Sequence, residues 1–166
     1  MSVKPQPPLP DDPADHDERL TLLFDVWLVA RATLTLVDRE LATTPLDAES
    51  FAVYSVIREA GAITPTQLAR WMAMPATTVS SQLKRYERHG HVERVPDPAD
   101  GRSWQLRLTE AGAAAHAAGA MRFLPALRRV EHALGAEAPA VTDALRSLRR
   151  ALDVALASRS DSVETR

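Results

Sequence analysis

The residues best suited to chemistry lie close together, between Thr77 and Arg102. Thr77, Thr78, Ser81 and Gln82 carry short hydroxyl and amide groups that match the donors and acceptors on base edges. Ser80, Lys84, Arg85 and Arg88 are interleaved with them and suit phosphate oxygens. Further on, Asp100 and Arg102 close a proline-rich turn. A carboxylate two residues from a guanidinium can fix its rotamer through a charge-assisted hydrogen bond, and the guanidinium can then enter a minor groove or meet a phosphate.

This is the chemistry of binding. The chain has no Gly-rich phosphate loop, no visible Ser-His-Asp set and no paired carboxylates in a recognisable motif, so no enzyme activity is expected. His16, His89, His91, His116 and His132 are scattered, and His89 and His91 read as surface residues. With no cysteine, thiol oxidation cannot be a switch and a Cys-type zinc site cannot form. No metal and no cofactor are expected.

Those side chains need elements to hold them. Thr64-Pro65-Thr66-Gln67 is a capping box with proline at the first helical position. Leu68, Trp71 and Met72 give this short helix an apolar face, and Pro75 ends its pattern. The next helix runs to about His89, with Gly90 to stop it. Val79, Leu83 and Tyr86 recur at helical spacing and should face a core. That leaves the hydroxyls and cations for the other faces. Val92 to Val95 and Ser103 to Leu108 read as two strands, the second with Trp104, Leu106 and Leu108 alternating against Gln105 and Arg107. Pro96 to Arg102 turns between them. Two short helices followed by a hairpin with a basic tip form a winged helix-turn-helix, whose second helix enters the major groove of DNA.

The run resembles the MarR family of transcriptional regulators. "TVSSQLKRYERHGHVER" is similar to the family's recognition helix and its exit into the wing, and "DPADGRSWQLRLTEAG" to the wing and the start of the next helix. The resemblance places an Asp-x-Arg pair at Asp100 and Arg102, with the arginine in the minor groove, and a Leu-Thr-x-x-Gly at Leu108, Thr109 and Gly112. Ser81 stands where many members carry arginine, and His91 where they usually carry an apolar residue.

Around this unit the chain is mainly helical. Residues 1–16 are rich in proline and aspartate and read as a disordered tail. A long helix from about Asp17 to Leu41 carries an apolar stripe through Leu23, Trp27 and Leu34, broken by Arg31. Asp47 can cap a second helix, which Gly61 stops, and Ala62-Ile63 suits a minimal third strand. After the wing, Thr109 can cap a helix reaching about Leu134, with a small stretch at 111–115 and Pro125 inside it. A last helix runs from about Pro139 to Ala157, before a frayed tail at 159–166. The expected organisation is therefore mainly α with a small β-wing. A dimerisation helix spans 17–46, the DNA-binding lobe 47–109, and further dimerisation helices 110–158.

The flanking helices are too long and apolar for so small a lobe, and a symmetric homodimer would cover them. Two recognition helices about 34 Å apart would read a palindromic operator on double-stranded DNA. A net charge of −2 conceals a local excess: Arg58 to Arg107 holds 8 Lys/Arg against 5 Asp/Glu, a net of +3, which leaves −5 for the rest. No apolar run approaches the roughly 20 residues that span a bilayer, and the N-terminus has no hydrophobic signal region, so a cytoplasmic protein without membrane contact is expected. The resemblance adds a small aromatic or phenolic effector. Trp27, Arg31, Phe51, Tyr54 and Trp71 are the candidates to line its crevice, with Arg31 pairing an anion. The expected function is a sequence-specific regulator, a repressor released by that ligand. The alternative is a winged-helix adaptor that contacts proteins without binding DNA, which salt-dependent DNA binding would distinguish.

Overall fold

A computed structural model describes residues 22–98, 100 and 103–160. Six α-helices and one hairpin follow in the order α1 (Leu22–Leu41), α2 (Ala48–Ala60), α3 (Pro65–Trp71), α4 (Ala76–Arg88), β1 (Val92–Pro96), β2 (Trp104–Leu108), α5 (Glu110–Leu134) and α6 (Ala138–Ser160). The chain divides into two compact units, one through Gly119 and one from Ala120.

Local chemistry sets most boundaries in the first unit. The Asp47 carboxylate accepts from the Ser50 backbone N–H at 2.7 Å and caps α2, and Gly61 ends that helix at φ +72°. At α3 the capping box is complete: Thr64 Oγ accepts from Gln67 N, and the Gln67 side chain accepts from Thr64 N at 2.9 Å. Pro75 stands at the N-cap of α4, one position before its expected place inside the first turn. Gly90, at φ +69°, carries the chain from α4 into the wing.

β1 and β2 pair antiparallel, with Val92 opposite Leu108 and Arg94 opposite Leu106. Ile63 bridges Leu106 on the far edge, its N–H donating at 3.1 Å and its carbonyl accepting at 2.8 Å, which is the minimal third strand. The core sits beneath. Tyr54, Ile57, Leu68, Val79, Leu83, Tyr86, Val92 and Leu106 are all buried, so α2, α3, α4 and the hairpin share one apolar centre. The helical spacing of Val79, Leu83 and Tyr86 thus points inward as expected. Trp71 does not follow Leu68: its indole is 55% exposed.

Thr109 joins the wing to α5. Its hydroxyl accepts from Gly112 N at 3.1 Å and donates to the Gly90 carbonyl at 2.6 Å, and its own N–H donates to the His91 carbonyl at 3.0 Å. Gly112 then passes so near His91 that a Cβ there would lie 2.0 Å from the His91 carbonyl oxygen. The small residues at the start of α5 therefore serve a close approach.

In the second unit the helix continues through Pro125 to Leu134, and Gly135 at φ +55° opens the turn into α6. Among the described residues no helix is long and apolar enough to cross a membrane.

Candidate nucleic-acid interface

α4 presents two unlike sides. Its inner side is the buried Val79, Leu83 and Tyr86; its outer side exposes Thr77, Ser80, Ser81, Lys84 and Arg88, with Thr78 and Gln82 half-buried at the margins. No acidic residue lies in its first turn. Ser81 Oγ donates to the Thr78 carbonyl at 2.9 Å, and Arg88 Nε donates to the Lys84 carbonyl at 3.2 Å. Both are local contacts to the helix's own backbone, of the kind that can be exchanged for an outside acceptor. Ser81, Lys84, Glu87 and Arg88 line a shallow open groove along this side.

Arg85 differs from its neighbours. One guanidinium nitrogen donates to Ser50 Oγ at 3.1 Å and to the Tyr86 hydroxyl at 3.4 Å, and lies 3.6 Å from the Asp47 carboxylate. The Tyr86 hydrogen bond raises the Arg85 pKa against the effect of burial. Burial pushes the Asp47 carboxyl up, but the Ser50 hydrogen bonds and the Arg85 charge outweigh it and hold it below the ordinary carboxylate value. Sequence spacing gave no sign of Ser50 and Asp47 as partners, which stand 35 residues or more away in the chain.

The wing is fastened to the same helix. Arg94 on β1 donates through Nε and a terminal nitrogen to both carboxylate oxygens of Glu87 on α4. Its guanidinium also lies 3.9 Å from the ring centre of Trp104 on β2. Across the hairpin, Arg107 donates twice to Glu93, at 2.9 and 3.1 Å. Before the turn, Asp97 and Ser103 continue the pairing, and Ser103 N–H donates to the Asp100 carbonyl at 2.9 Å. Arg102 lies outside the described residues.

Two histidines are structural. His91, read from sequence as a surface residue, is half-buried with Nδ1 3.0 Å from the Tyr54 hydroxyl. Burial, and then the nearby His89, lower its pKa, while burial keeps the Tyr54 phenol protonated by raising its own. The phenol can thus donate to a neutral imidazole. This satisfies a polar side chain where the family pattern usually has an apolar one. His116, also buried, stacks on Phe51 with ring centres 5.0 Å apart. Arg58 points an N–H at its Nδ1 at 3.4 Å, which leaves Nε2–H to donate to Ser55 Oγ at 3.0 Å. Ser55 in turn donates to the Phe51 carbonyl at 2.8 Å. Burial, and then Arg58, lower the His116 pKa. Among the described residues no group of His, Asp and Glu could hold a metal ion.

The expected effector residues differ in exposure. Phe51 and Tyr54 are buried in the lobe, while Trp27 and Arg31 are exposed on α1. Trp71 borders a different cavity of about 480 Å³, lined also by Ser55, Val56, Glu59 and Ala60.

Comparison with known proteins agrees with this geometry. Residues 46–103 match the model of the MarR family. That span runs from the end of the α1–α2 connection through both helices of the helix-turn-helix to the base of β2. The lobe is similar to the MarR family. The multiple antibiotic resistance protein MarR of Salmonella typhimurium is 32% identical over 89 residues, 54% of this chain and 62% of that protein. The chain therefore spans less than two thirds of that relative. The transcriptional regulator PecS of Dickeya dadantii is 31% identical over 94 residues, 52% of this chain and 56% of PecS. A mutant of Escherichia coli MarR, complexed with operator DNA, superposes with a TM-score of 0.68 at 27% identity, covering 79% of this chain and 93% of that one. The MarR family is one of DNA-binding regulators and not of enzymes.

Proposed function

We propose that this chain is a sequence-specific, DNA-binding transcriptional regulator that acts in the cytoplasm as a homodimer on a palindromic operator. The observation that carries this reading is the outer side of α4. There hydroxyls and cations stand exposed, on a helix whose apolar side is fixed in the core of a lobe similar to the MarR family. Thr77, Thr78, Ser81 and Gln82 take the base edges; Ser80, Lys84 and Arg88 take phosphates. Arg102, with Asp100 to orient it, adds the wing contact. The structural likeness to MarR complexed with operator DNA supports the same placement. Leu23, Trp27 and Leu34 on α1, and Leu145 on α6, are exposed in the single chain and supply the apolar surface for self-association.

The regulator is a repressor, released by a small aromatic or phenolic ligand. Trp27, Arg31 and Trp71 are the accessible members of the expected ligand set, and the cavity beside Trp71 has a volume usual for small-molecule sites. A ligand there acts only through unequal affinity for the DNA-competent and DNA-incompetent forms.

The reading is tested by measuring binding to a duplex selected from random sequence across a range of salt. Lys84→Ala and Arg102→Ala should each weaken binding and each reduce the salt slope by about 0.9. Binding that is absent, or indifferent to salt, would instead favour a winged-helix adaptor that contacts only proteins.

A further inference from the structure

Arg85 lies on the recognition helix between Lys84 and Arg88, and by residue type it belongs with them as a phosphate contact. Its surroundings are different. Among the described residues the Lys84 side chain has no hydrogen bond or ion pair, and the Arg88 side chain bonds only to its own helix backbone. The Arg85 guanidinium is instead turned to the N-terminus of α2, where it meets Asp47, Ser50 and the hydroxyl of Tyr86.

That location is costly for a cation unless it is compensated. The first turn of α2 carries N–H groups without intrahelical partners, of which Ala48 N–H donates to the Asp38 carboxylate at 2.8 Å, and the positive end of the helix dipole. Asp47 compensates both: one carboxylate oxygen caps Ser50 N–H at 2.7 Å and the other faces Arg85 at 3.6 Å. Ser50, only 5% exposed, accepts from the guanidinium, so the fork ends on a group fixed inside the lobe. Tyr86 is buried next to Arg85 and edge-on to Tyr54, with ring centres 5.0 Å apart. The guanidinium therefore joins two groups buried in the core, Ser50 and Tyr86, to the Asp47 carboxylate that caps α2. For Arg85 to reach a phosphate, it would have to leave Asp47 uncompensated.

Resting on the DNA-binding reading above, we infer that Arg85 is a positioning residue. It sets the orientation of the recognition helix on α2 and makes no phosphate contact. Base readout needs hydroxyls and amides placed to within hydrogen-bond tolerance, whereas non-specific binding depends on charge alone. Loss of the brace should therefore reduce discrimination between sequences more than it reduces affinity for any DNA.

The experiment compares the full-length wild type with Arg85→Ala, Asp47→Asn, the double variant and Lys84→Ala. Asparagine keeps the α2 cap while it removes the charge. Each protein is titrated with the selected duplex and with a scrambled one, at several salt concentrations, and its melting temperature is recorded. For Arg85→Ala we expect the ratio of specific to non-specific affinity to fall about tenfold, with the salt slope unchanged. Asp47→Asn should lower the ratio in the same direction, and the double variant should match Arg85→Ala because the two residues form one brace. A slope reduced by about 0.9, as in Lys84→Ala, would overturn the inference and make Arg85 a phosphate contact. So would a lowered melting temperature with an unchanged specificity ratio, which is the mark of a merely structural ion pair. Wild-type protein that binds neither duplex would overturn the DNA-binding reading itself, and this inference with it.

Discussion

Replacing Gly112 with alanine tests the closest approach in the lobe. An ideal Cβ at this position lies 2.0 Å from the His91 carbonyl oxygen, 2.8 Å from its carbon and 3.0 Å from its Cα. All three atoms are backbone, so no side-chain rotation relieves the clash. Ordinary contact begins near 3.4 Å, which requires α5 to retreat by about 1.4 Å (3.4 less 2.0). A retreat of that size breaks the Thr109 N–H bond to the same His91 carbonyl, and the Thr109 hydroxyl bond to Gly90. Two such bonds contribute about 0.5–1.5 kcal/mol each. If α5 instead stays in place, overpacking costs about 1–3 kcal/mol and sometimes more. Alanine returns at most about 1 kcal/mol through its better helix propensity. The gross loss of about 1–3 kcal/mol, less this return, leaves a net loss of up to about 3 kcal/mol, which for a chain of this size lowers the melting temperature by up to roughly 10 °C. Gly119→Ala is the control. There the nearest atoms, at 3.0 and 3.2 Å, belong to the Phe51 ring, which can yield by a few tenths of an ångström. Its effect should stay within about 1 kcal/mol of zero. Circular dichroism melts of both variants decide the matter. A Gly112→Ala protein that melts at or above the wild type would refute the argument, because helix propensity would then be the only effect present.

Protonation of the two structural histidines should destabilise the lobe in mild acid. The folded-state pKa values of His91 and His116 lie below the ordinary 6.5, so the unfolded chain takes up protons first as pH falls. Their contribution is full above about pH 6.5 and is lost as pH drops through the folded-state values. Imidazole proton resonances of both residues should titrate below 6.5 by NMR; midpoints at or above that value would contradict the assigned environments. Self-association should depend on the exposed face of α1. Leu23→Asp removes an apolar contact of at least about 1.5 kcal/mol from each of two symmetric copies, and should weaken the dimer at least about 100-fold. Light scattering that finds the same mass at low micromolar concentration would exclude Leu23 from the interface.

What could be read in the sequence was what is decided within a few residues. The Thr64–Gln67 box, the Asp47 and Thr109 caps and the stops at Gly61 and Gly90 depend on neighbours three or four positions apart. The inward set Val79, Leu83 and Tyr86 follows from helical spacing alone. Pairing that spans the chain was not legible. His91 finds Tyr54 across 37 residues and His116 finds Ser55 across 61, and nothing local distinguishes them from surface histidines. Trp71 has the spacing of a core residue yet stays exposed, because the short α3 covers only Leu68 fully. Arg85 looks like Lys84 and Arg88 until the α2 N-terminus is seen beside it.

The link from Glu87 through Arg94 to Trp104 has a mechanical consequence. Beyond the core they share, the hairpin is joined to α4 at two places: the covalent corner at His89, Gly90 and His91, and this side-chain tie farther out along β1. A beam pinned at one point swings, whereas a beam pinned at two transmits torque. Any sideways load on the hairpin is therefore delivered to the last turn of α4. On the proposed duplex the wing would then work as a lever for the helix as well as a second hand, and variation in groove width under the wing would become rotation of the residues proposed to read bases.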